Sequence, residues 1–167
     1  MVKTLILGLG NPFRGDDGVG PAVIAALNSQ VMPPDVVVLD GGTPGLETVL
    51  TWQGYERVII VDAADMGMQP GSWKRFHSDE AILPVDEAAM QGTLHAAGLA
   101  EALALAEALD LLPPELVFYG VQPEFTGWSA GLTEAIDFAV PALCEAISTE
   151  IKDFSNHEPQ TALLLSD

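Results

Sequence analysis

Thr4–Leu9, Val36–Leu39 and Val58–Val61 are short apolar runs without polar alternation, and each is followed by a stretch that can coil. Val19, Val23, Ala26 and Leu27 recur at helical spacing after the first run, and a helix is expected from about Pro44 to Trp52 after the second. Continuous β-branched runs belong to strands buried on both faces, which parallel sheets with helical crossovers provide. Ser72–His77 is expected as a fourth, antiparallel strand, with Pro70 ahead of it suiting a sheet edge. Ser78–His95 reads as polar and irregular. Leu99, Leu103, Ala106 and Leu109 mark an amphipathic helix that Pro113 and Pro114 end, and Leu116–Val121 is the fifth strand. Leu132, Ile136, Val140, Leu143 and Ile147 share one face of a last helix. The expected architecture is α/β, a three-layer α/β/α sandwich on a five-stranded, mostly parallel twisted sheet with one antiparallel edge strand. Residues 1–151 form the expected domain, and 152–167 are expected to be a fraying tail.

Charge excludes one large class of function. Six Lys and Arg stand against 24 Asp and Glu, a net charge of −18. Nucleic-acid affinity comes from cations neutralising phosphates, so no nucleic-acid partner is expected. The same field draws in metal ions and basic protein surfaces. The single cysteine, Cys144, excludes an internal disulfide and suits a reducing compartment, so a cytoplasmic location is expected. Its helical, apolar surroundings mark it as buried rather than reactive. The run Leu5–Leu9 is too short for a signal peptide's apolar core. The apolar stretch Ala96–Val121 is interrupted by Glu101, Glu107, Asp110, Pro113, Pro114 and Glu115, so no membrane span is expected.

Open α/β sheets build their sites beyond the carboxyl ends of the strands. Asn11, Asp16 and Asp17 follow the first strand. Asp40, Gly41, Gly42 and Thr43 follow the second, and Asp62 and Asp65 the third. His95 precedes a helix, and Gln122 and Glu124 follow the fifth strand. Carboxylates gathered on one rim repel and call for a counter-ion, and Arg14 is the one Lys or Arg in these loops. Carboxylates with an imidazole suit Zn, Ni, Co or Mn with coordination positions left open. Asp17 has a plainer alternative role as a helix cap.

Gly8-Leu9-Gly10-Asn11-Pro12-Phe13 lacks the third glycine of a dinucleotide loop, and Pro12 removes a phosphate donor, so a nucleotide cofactor is not expected. Leu7-Gly8-Leu9-Gly10-Asn11-Pro12 is similar to the start of peptidyl-tRNA hydrolases, but the catalytic His of that family has no counterpart before His77. A wider resemblance runs over residues 4–145. Gly8-Leu9-Gly10-Asn11-Pro12-Phe13-Arg14-Gly15-Asp16-Asp17-Gly18-Val19-Gly20 resembles the N-terminal signature of the nickel–iron hydrogenase maturation endopeptidases. Asp40-Gly41-Gly42-Thr43, Val61 to Gly67, Thr93-Leu94-His95 and Gly120-Val121-Gln122-Pro123 resemble its later motifs, in order. The pattern is most similar to the subgroup serving hydrogenase 3.

The resemblance implies an aspartyl-type endopeptidase that removes a C-terminal extension from a hydrogenase large-subunit precursor after nickel insertion. It implies metal binding by Asp17, Asp62 and His95, with Asp40 as a further catalytic acid. Asn11, Gly41, Gly42, Thr43 and Gln122 are then expected to line the substrate path. Nickel, supplied by the substrate, is the implied metal, and another divalent ion is able to replace it. Asp16 is a second candidate for moving protons. A non-catalytic, metal-sensing chaperone using the same rim is the alternative in a different class.

Overall fold

The computed structural model describes residues 3–77 and 96–157. The strands are β1 (Thr4–Leu9), β2 (Val36–Gly42), β3 (Arg57–Ala63), β4 (Trp73–His77) and β5 (Glu115–Val121). The helices among the described residues are α1 (Val19–Asn28), α2 (Leu46–Thr51), α3 (Ala96–Ala108) and α4 (Glu134–His157), with a single 3-10 turn at Gly15–Gly18. The strand order is β2-β1-β3-β5-β4. All pairings are parallel except β4 with β5, which is antiparallel at the edge. This is the architecture expected from the alternating runs. The segment Ser78–His95, expected to be irregular, lies outside the described residues, and His95 with it.

Each of the four parallel strands divides its side chains between two cores, as a pleat with a period of two requires. Ile6, Ile59, Val61, Val117 and Tyr119 pack with α1 and α4 on one face. Leu5, Leu7, Leu9, Val58 and Ile60 pack with Val49, Trp52 and α3 on the other. Cys144 is buried in the first core and its thiol faces the Val23 carbonyl, 3.9 Å away. Burial pushes its pKa up and disfavours the thiolate.

Two boundaries differ from expectation. Strand β2 continues through Asp40, Gly41 and Gly42, because Gly8 and Leu9 of β1 go on pairing with Asp40 and Gly42 across a register shift. Helix α4 runs to His157, past the point where fraying was expected. Ile151 packs into the core, and the Arg57 guanidinium lies 3.4 Å from the centre of the Phe154 ring. Further along the sheet, Glu150 of α4 accepts from both Arg75 of β4 and the Tyr119 hydroxyl of β5. The helix end is held by tertiary contacts that a helical pattern alone does not reveal.

Candidate active site and metal-binding rim

The site is set by how closely α1 lies on β1. A Cβ on Gly8 would stand 2.6 Å from the Gly20 carbonyl oxygen, and one on Gly20 would stand 2.2 Å from that of Leu9. Only glycines on both elements permit this approach, and it carries the Gly15–Gly18 turn over the end of β1. Gly10 makes the sharp departure from the strand at φ 128°. A Cβ there would sit 1.9 Å from the Asp17 carbonyl oxygen. Gly10→Ala is therefore expected to cost more than the ~1–3 kcal/mol of strained backbone alone, since Asp17 must also move. Denaturant unfolding will measure this, and an unchanged midpoint would contradict the packing described.

Asp17 and Asp62 are brought together at this rim, both buried, at 1% and 2% exposure. The Asn11 backbone N–H donates to Asp17 Oδ2 at 2.5 Å. Asp62 Oδ1 is buried with no hydrogen-bond partner among the described residues. Burial chiefly, then the neighbouring Asp17 charge, drives the Asp62 pKa well above the usual carboxylate range, against a smaller opposing effect from the Ala63 backbone hydrogen bond. Burying a carboxylate against a second one is costly unless a cation joins them. The orphan oxygen and the two-acid donor set fit a divalent cation with an added imidazole. By strand alternation Asp62 follows Val58 and Ile60 onto the face that α3 covers, and α3 begins at Ala96, the residue after His95.

Asp40 does not join this pair. It stands level with Gly8 and Val61, on the α1 face, whereas Asp62 is turned to the α3 face. Its carboxylate is exposed and accepts from the Gly42 N–H at 3.0 Å, closing its own turn. Gly41 covers the Leu7 and Leu9 side chains. The Gly42 carbonyl accepts from Gly10 N–H at 2.9 Å, and Thr43 is exposed beside it. The Asn11 side chain accepts from Phe13 N–H at 2.9 Å.

Two further rim residues hold loops in place. Asp16, fully buried, accepts from the backbone N–H groups of Glu124, Phe125 and Thr133 and from the Thr133 hydroxyl. This engagement makes it the anchor of the 123–133 loop. Gln122 was expected on the substrate path. Its amide oxygen accepts from Met66 and Met68 N–H, and its nitrogen donates to Asp65 and the Pro123 carbonyl. It holds the loop after β3. A signal for the split of Asp16 and Asp17 was present: adjacent residues of one helical turn do not share a face.

The family model described as hydrogenase maturation protease matches residues 21–150. The chain belongs to the hydrogenase maturation protease family. Among relatives of this protease, the hydrogenase expression/formation protein HupD of Rhizobium leguminosarum bv. viciae is 33% identical over 145 residues, covering 86% of this chain and 71% of that protein. HupD of Bradyrhizobium diazoefficiens is 34% identical over 153 residues, covering 86% and 79%. The hydrogenase maturating endopeptidase HybD from E. coli superposes with a TM-score of 0.80 at 26% identity, covering 92% of this chain and 94% of that one. The likeness to peptidyl-tRNA hydrolases goes no further than the first strand. The hydrogenase maturation protease family is one of endopeptidases, so the chain is a hydrolase.

Proposed function

We propose that this protease removes the C-terminal extension of a nickel–iron hydrogenase large-subunit precursor, gripping nickel already carried by that precursor through Asp17, Asp62 and His95. The observation that carries the reading is the buried Asp17–Asp62 pair with Asp62 Oδ1 unpartnered among the described residues. Nickel is here part of the substrate, and another divalent ion held by the same three side chains would supply Lewis-acid polarisation or an activated water. The chain's own contribution is to hold two carboxylates in a dry rim where they bind only a cation, and so to discriminate loaded from empty precursor.

The reading is of an aspartyl-type peptidase: the one thiol is buried away from the rim, and Asp40, exposed at the strand edge, is the further acid free to face an extended peptide. No helix among the described residues is long and apolar enough to cross a membrane. A cytoplasmic location goes with the unpaired cysteine. His95→Ala is expected to reduce trimming of nickel-loaded precursor by at least about 100-fold, the order seen on losing a group that orders a metal site. Mass spectrometry of the precursor before and after incubation reads this directly. Undiminished trimming by the variant would remove His95 from the site, and a stable complex with no loss of peptide would favour a chaperone instead.

A further inference from the structure

Three large apolar side chains stand in solvent on the loops beside the acid pair: Phe13 at 66% exposure, Phe125 at 50% and Trp128 at 74%. The backbone beneath them is firmly held. Gly15 N–H donates to the Ser129 carbonyl at 2.8 Å, Ser129 N–H to that of Phe13 at 3.0 Å, and Asp16 N–H to that of Phe125 at 2.8 Å. Asp16 in turn accepts from Glu124 and Phe125. Arg14 Nε donates to the Thr126 carbonyl at 3.2 Å, and its guanidinium lies 4.9 Å from the centre of the Trp128 ring. A Cβ on Gly127 would strike the tip of the Phe125 ring, 2.4 Å from Cζ, so the ring lies close against its own loop.

Exposed aromatics on a rigid frame cost little order on binding, and Trp, Phe and Arg are enriched where interfaces concentrate their affinity. The platform is continuous with the site, since Asp17 N–H donates to the Arg14 carbonyl at 3.2 Å. Exposed Glu124, Glu134 and Asp137 follow the same loop into α4, in a chain of net charge −18.

We propose that Phe13, Arg14, Phe125 and Trp128 form a docking platform for the hydrogenase precursor, meeting an apolar patch ringed by Lys and Arg. The proposal rests on the reading of this chain as a precursor-processing protease. The platform holds the body of the precursor, and the acid pair reads its metal, so affinity and metal discrimination belong to separate side chains.

The test is the concentration dependence of trimming of nickel-loaded precursor, followed by mass spectrometry, for wild type and Phe13→Ala/Trp128→Ala. The double variant is expected to raise KM at least about tenfold, as for loss of interface anchors, with an unchanged melting temperature. For wild type, KM is expected to rise with salt as the acidic ring is screened. If the double variant melts early, the single variants Phe13→Ser and Trp128→Ser carry the same comparison. Unchanged KM with wild-type trimming intact overturns the platform and leaves the protease reading standing. Absence of trimming by wild type overturns both. A wild-type dimer in sedimentation that Trp128→Ala converts to monomer overturns the platform in favour of self-association.

Discussion

Asp62→Asn is expected to abolish trimming and at the same time to make the metal-free protein more stable. The amide keeps the shape of the carboxylate, removes the charge that burial and Asp17 oppose, and offers an N–H towards Asp17. Relieving a buried, unsatisfied polar group is worth about 1–3 kcal/mol. In a chain of this size each kcal/mol raises the melting temperature by about 2–4 °C. The advantage depends on pH in a definite direction. The folded pKa of Asp62 lies above the unfolded one, so wild type takes up a proton that the unfolded chain has released, and it gains stability as pH falls through that folded pKa. The variant has no such gain at this position, so its lead is widest at alkaline pH and narrows on acidification. Thermal melts in chelator at several pH values provide the measurement. A variant no more stable than wild type at the alkaline end of the series would mean the pair is not held under mutual repulsion.

Asp16→Ala is expected to cost at least about 1–3 kcal/mol, the penalty for leaving even one buried donor without its acceptor. The substitution leaves three backbone N–H groups, of Glu124, Phe125 and Thr133, without their acceptor. Those donors span the loop that carries Phe125 and Trp128, so precursor affinity is expected to fall with stability. Asp16→Asn keeps an acceptor oxygen and is expected to lose less. Denaturant midpoints for the two variants rank them, and an Ala variant within about 1 kcal/mol of wild type would contradict a structural anchor. The contrast with Asp62 is informative: of two buried acids at one rim, one has both oxygens engaged and anchors a loop, while the other keeps Oδ1 without a partner among the described residues.

The alternation of apolar strand runs with helical repeats was enough to obtain the sheet, its antiparallel edge and the rim on which the acids collect. Those features depend on short-range periodicity, and periodicity is written locally. Asp62 was legible as a rim residue because it directly follows an apolar run, and Asp17 because it lies in the glycine-rich loop after the first one. Which face each acid takes was not legible. Asp40 and Asp62 both come at strand ends, yet the register of β1 with its two neighbours turns them to opposite sides of the sheet. Asp16 and Asp17 are neighbours in sequence, but only the closeness of the loop around residues 124–133, more than 100 residues later, gives Asp16 its donors. The same holds for the end of α4, which exists as helix because Ile151 and Phe154 find the core and Arg57. Local pattern decides which elements form and where a strand ends; the partners of a buried charge are decided by approach through space, which only the packed chain specifies.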